Sequence, residues 1–153
     1  MAEDRQLLTD IRLVLRHSEL RPVYEVDIDR RRVATSPGLL MDMGVVSGRD
    51  NLSQAIILRL LTPRGELSAL GHPEYGSRLH ELIGERNTDT KRSLIKLYIL
   101  ESLQMEPRIE KVVEITVEPA EGKRDRVNVL LRVKPVGKTG TVTIGPFILE
   151  LEQ

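Results

Sequence analysis

Apolar and polar positions alternate near the start of the chain. Ile11, Leu13 and Leu15 fall on one face of an extended strand, with Arg12 and Arg16 on the other; after a break at residues 17–22, Tyr24, Val26 and Ile28 alternate with Glu25, Asp27 and Asp29. A period of two on both sides of a turn predicts a β-hairpin with one wet face. Arg30, Arg31 and Arg32 follow and read as a solvated strand end, with a grip on a partner as the alternative. Thr35-Ser36-Pro37-Gly38 then breaks the segment. An apolar stretch from Leu39 to Val46 leads to Ser47-Gly48-Arg49-Asp50-Asn51. Asp50 or Asn51 suits an N-cap, and Gln54 stands where a capping box begun at Asn51 needs it. A helix is therefore predicted over about 52–61, with Leu52, Ala55, Ile56 and Leu60 inward, closed by Pro63 and Gly65.

The middle of the chain is rich in breakers yet keeps apolar anchors, which predicts an ordered loop with a short helix near residues 75–83. Thr88 to Thr90 offers a cap for a second helix over about 91–104. Its apolar residues, Leu94, Ile95, Leu97, Tyr98, Ile99, Leu100 and Leu103, occupy almost the whole circumference, so the helix is expected to be buried on several sides or to meet a partner. The period then changes. Val112, Ile115 and Val117 form one strand-like run, and Val127, Val129, Leu131 and Val133 alternate with Arg126, Asn128, Arg132 and Lys134. A third run contains Gly145-Pro146, which suits a bulge or an edge strand. The expected fold class is α+β: helices packed on a C-terminal three-stranded antiparallel meander, with an N-terminal β-hairpin. The expected division is an arm at 1–36, belonging to the same unit, and a main domain at 37–153.

Composition narrows the function. With 153 residues, 40% hydrophobic and 30% charged, the chain suits one packed domain. Lys plus Arg equals Asp plus Glu at 23 each, so no overall field favours nucleic acid. One Phe, three Tyr and no Trp leave no stacking platform for bases or sugars, and the absence of Cys excludes disulfides and thiolate chemistry. The first ten residues predict no signal peptide, and no apolar run is long enough for a membrane span.

Candidate chemistry is sparse. His17, His72 and His80 lack ligand spacing, so no metal is expected. Phosphate-loop, dinucleotide and nucleophile-elbow motifs are missing, and no cofactor is expected. Glu66 and Glu74 lie in the loop-rich middle and could in principle serve as a glycosidase pair. The plainer reading has them capping turns or pairing with Arg64 and Arg78. Glu106-Pro107-Arg108 follows the apolar helix directly. Proline stops the helix and fixes a corner from which the carboxylate and guanidinium are expected to leave in opposite directions.

Arg59-Leu-Leu-Thr-Pro-Arg-Gly-Glu-Leu67, His72-Pro-Glu-Tyr-Gly-Ser-Arg-Leu79 and Met105-Glu-Pro-Arg-Ile109 occur in that order. Together they resemble the baseplate wedge family of contractile tails, which includes the phage W, lysozyme-like baseplate protein and the TssE component of type VI secretion. The resemblance covers roughly residues 50–153. It implies a structural, non-enzymatic wedge subunit of a phage tail or related contractile injection particle, assembled in the cytoplasm. Residues 37–153 would then resemble the handshake part of the sheath protein and start sheath assembly. The implied partners are other wedge proteins, through their helical core bundle, and the sheath protein. It also implies that Glu106, Pro107 and Arg108 are interface residues, and that Thr62, Pro63, Gly65, Glu66, Pro73, Tyr75 and Gly76 shape the connecting loop. The departure is a longer N-terminal lead-in. The family's lysozyme association leaves a peptidoglycan-cleaving tail protein as the alternative.

Overall fold

The computed structural model describes residues 7–14, 26–32 and 39–151. Within them lie seven strands and two α-helices: β1 (Thr9–Ile11), β2 (Ile28–Arg32), β3 (Leu39–Met43), β4 (Val45–Ser47), α1 (Gly48–Leu61), α2 (Asp89–Gln104), β5 (Ile109–Pro119), β6 (Arg126–Pro135) and β7 (Val142–Glu150). Two short 3-10 turns, Ser68–Leu70 and Leu79–Leu82, sit in the connection between the helices, the second inside the span expected to hold a short helix. The fold is α+β, as expected.

The C-terminal strands form an antiparallel meander in the order β5-β6-β7. The inward residues of the central strand, Val127, Val129, Leu131 and Val133, are fully buried. They meet Ile56 and Leu60 of α1, Ile95, Ile99 and Leu103 of α2, and Ile144, Phe147 and Leu149 of β7 in one mainly aliphatic core. Each such side chain contributes about 1.5–3 kcal/mol on burial. α2 packs against β5 and α1 against β7. Gly145-Pro146 does fall on an outer strand, β7, and its peptide bond is cis.

The second helix begins at Asp89, with the Thr88 hydroxyl accepting from Lys91 N at 3.2 Å. It is not buried all round: Leu97 is 47% exposed, and Leu94 and Leu100 are half-buried. The first helix departs further from expectation. Its N-cap is Ser47, and the left-handed φ of Gly48, 64°, lets strand β4 turn straight into the helix. Asn51 and Gln54 are therefore inside α1 and form no capping box. Both are buried and bind strand backbone instead. Gln54 donates to Ile11 O at 2.8 Å and accepts from Leu13 N at 2.9 Å, while Asn51 donates to Leu7 O at 2.9 Å.

The N-terminal strands also pair more widely than the alternation predicted. Among the described residues, the backbones of the expected partners, 11–15 and 24–28, meet at the Leu13–Val26 bridge and its neighbouring bond from Asp27 N to Arg12 O at 2.9 Å. Leu15, Arg16, Tyr24 and Glu25 lie outside the described residues. β1 pairs with β4, and β2 with β3 through Ile28–Met43 to Arg32–Leu39, so the arginine run lies within an antiparallel pair. The physical reason is the apolar stretch at 39–46, which supplies two more strands. At their junction, Arg12 N donates to Gly44 O, Gly44 N to Asp27 O and Asp27 N to Arg12 O, a closed ring of backbone bonds. Arg12 Nε also pairs with Asp27 at 2.7 Å, over a position where any side chain at 44 would meet the guanidinium.

Gln54→Leu should strand the Leu13 N–H and Ile11 carbonyl and cost about 1–3 kcal/mol. Hydrogen exchange should show faster exchange at Leu13, while amides of β6 remain protected.

A charged corner where α1, the loop and α2 meet

Proline at 107 ends α2 by removing an N–H and excluding the helical path, so the chain turns at once into β5. The two charged residues flanking it do not diverge as expected. Arg108 Nε donates to Glu106 Oε1 at 2.6 Å, and Arg108 N lies 3.4 Å from the same oxygen. The other carboxylate oxygen accepts from Arg59 on α1 at 3.3 Å. Divergence fails because Glu106 is only 5% exposed, and a buried carboxylate must find cations. Arg59 is itself 7% exposed, and its guanidinium lies 4.4 Å from the centre of the Tyr75 ring. Arg59, Tyr75, Glu106 and Arg108 thus form one cluster drawn from α1, the connecting loop and the α2–β5 turn.

Other loop residues tie the loop onto α1 and α2. Thr62 caps α1, donating its hydroxyl to Leu58 O at 2.8 Å, and its carbonyl accepts from Ser77 N at 2.8 Å. Pro63 and Ser77 form a parallel bridge. Gly76, at φ 107°, is buried between them; a Cβ there would lie 2.9 Å from the Pro63 carbonyl carbon, so only glycine fits. Its carbonyl accepts from Ser102 of α2 at 2.9 Å, and Ser77 donates to Leu60 O at 2.6 Å. Gly65 lies in the turn closed by Glu66 N to Pro63 O at 3.1 Å.

Thr62, Pro63 and Gly76 therefore come together in one folded loop from which Tyr75 reaches the Arg59 guanidinium, whereas the side chains of Glu66 and Pro73 are exposed. Glu74 is exposed as well. The expected ion pairs of Glu66 and Glu74 are replaced by others: Arg64 faces Glu101 at 3.9 Å, and Arg78 pairs with Glu81 at 2.9 Å. Sequence reasoning missed Arg59, Ser77 and Ser102. The available signal for Arg59 was its position on the inward stripe of α1 marked by Leu52, Ile56 and Leu60, where a charge needs a buried partner. Among the described residues, no group of three or more His, Asp or Glu side chains is arranged to hold a metal ion, and no helix is long and apolar enough to cross a membrane.

The electrostatics follow from the geometry. Burial pushes the Glu106 carboxyl up, but the Arg108 hydrogen bond and the charges of Arg108 and Arg59 outweigh it and hold the group below the usual carboxylate range. Burial likewise pushes the Tyr75 hydroxyl up, against the opposing pull of Arg59.

The model of the contractile injection system sheath initiator family matches residues 23–134, which contain this cluster entire. The chain belongs to that family. Among solved structures, this sheath initiator is similar to a Geobacter sulfurreducens protein provisionally described as a tail lysozyme, with TM-score 0.61 and 22% identity over 73% of this chain and 98% of that one. At that identity the likeness establishes the fold alone. No curated protein matches the chain.

Because the folded carboxyl lies below its ordinary value of 4.5, the Glu106 contribution is complete above that value and is lost as pH falls through the folded one. Glu106→Gln should cost about 3–5 kcal/mol at neutral pH, the range for breaking a buried pair. Thermal melting across pH should show the gap between wild type and variant narrowing in acid.

Proposed function

We propose that this sheath initiator is a structural wedge subunit of a baseplate, in a phage tail or related injection particle assembled in the cytoplasm, and that the first sheath ring polymerises on it. It acts without catalysis, joining other wedge proteins through their core bundle at Glu106, Pro107 and Arg108, while its sheet receives the sheath protein. Family membership supports the coarse role. The observation that carries the finer one is the outer edge of β5, which has no strand partner among the described residues. That strand runs eleven residues with proline only at its last position, and beyond two register irregularities between Ile109 and Glu114 it pairs regularly with β6 from Glu114 to Pro119. The opposite edge, β7, is interrupted by Pro146, and just beyond it the Leu151 carbonyl is taken by Gly84 N. An open edge accepts a further strand, with main-chain bonds supplying affinity and alternate side chains supplying register. Sheath-protein arms adding to β5 would continue the meander and set the first ring in place.

Val113 supplies the test. It sits at an irregularity in the β5–β6 register and is 41% exposed, a position where proline is tolerated. Val113→Pro should melt close to wild type, while baseplates carrying it should nucleate few sheaths, counted by electron microscopy. Normal nucleation on such baseplates would rule out β5 as the receiving edge.

The lysozyme description belongs to the structural neighbour. In this chain the Glu66 and Glu74 side chains are both exposed to solvent. Purified protein should release no soluble fragments from peptidoglycan. Turnover abolished by Glu66→Gln or Glu74→Gln would reverse the structural reading.

A further inference from the structure

The geometry points to Arg59 and Tyr75 as positioning residues for Arg108, which they aim as a two-pronged donor toward a carboxylate side chain of a wedge partner; this rests on the interface reading above. The chain of contacts is continuous. The Tyr75 ring faces the Arg59 guanidinium at 4.4 Å. Arg59 binds Glu106 Oε2 at 3.3 Å, which fixes the plane of that carboxylate, and Oε1 then receives Arg108 Nε at 2.6 Å. Glu106 engages Arg108 through Nε, which leaves the two terminal nitrogens as further donors. They have no hydrogen-bond partner among the described residues, and neither is a buried unsatisfied atom. The Arg108 side chain is 18% exposed, so part of it reaches the surface.

Charge decides the partner's chemistry. Arg59 and Arg108 share the single Glu106 carboxylate, and Asp10 is a further acid whose charge reaches Tyr75; the terminal nitrogens of Arg108 bind neither acid. A planar guanidinium with both terminal nitrogens free matches a carboxylate in a bidentate pair, which a lysine cannot form. An Asp or Glu side chain on the partner's core bundle meets that requirement.

The test is a double-mutant cycle read as affinity for the purified core bundle of the larger wedge subunits. Melting of the lone subunit is followed in parallel. Arg108→Ala should weaken association by about 30-fold or more, the size typical of truncating one member of a buried interfacial charge pair. Tyr75→Leu and Arg59→Met should each weaken it, Arg59→Lys should recover part of the loss, and neither change should weaken it further in the Arg108→Ala background. A merely structural role for Arg59 and Tyr75 would give losses that add to that of Arg108→Ala, and additivity would overturn the relay. If wild type fails to bind, or Arg108→Ala binds as well as wild type, the interface reading itself falls. A partner-free measurement separates the two further. The Arg108 Nε–H resonance should exchange slowly in wild type and fast in Tyr75→Leu; slow exchange in both would sink the relay while leaving the interface standing.

Discussion

Burying a carboxylate costs several kcal/mol unless cations and hydrogen-bond donors meet it, and Glu106 is met on both oxygens. Arg59 approaches from α1 and Arg108 from the entry to β5, so one side chain fastens three segments. The direction in which β5 leaves depends on this. The Glu106 carbonyl also accepts from Ile109 N, and the Arg108 carbonyl from Val136 N just beyond β6, which sets the first residues of the sheet against the end of its central strand. The aliphatic core supplies bulk stabilisation, but it is non-directional. The oriented charge pair fixes where the corner points.

A similar device works at the other end of α1. Gln54 and Asn51 are buried on the helix and bind the backbone of residues 7–13, as Arg59 on the same helix binds the corner. α1 is thus a spine that uses polar side chains to hold strands at one end and the α2–β5 turn at the other. Each tie is satisfied by a partner distant in sequence, which is why local patterning says little about it.

That accounts for what could be read from the sequence and what could not. The meander was legible because Val127, Val129, Leu131 and Val133 alternate with polar residues over one long strand, and α2 because its apolar residues recur between Thr88 and Pro107. The start of α1 was misjudged because Asn51 and Gln54 have the right types and spacing for a cap, and only tertiary structure shows them spent on strands. Glu106 and Arg108 were found as neighbours of a proline, yet their orientation depends on Arg59, far off along the chain. Tyr75 and Gly76 were found through the motif. The physical reason for Gly76, backbone packed against Pro63, becomes visible only once both ends of the loop are in place.

The tie between Arg59 and Glu106 closes a loop of 47 residues, and Ser102 to Gly76 closes one of 26. Loop-closure entropy must be overcome before such contacts yield anything, so they belong to the non-local part of folding. α1 and α2 can each begin from their own ends, but the corner exists only after α2 has docked and its end has reached α1. During synthesis, residue 106 must also emerge before residue 59 has anything to bind. A subunit that has not finished folding therefore carries the corner's residues without carrying its shape.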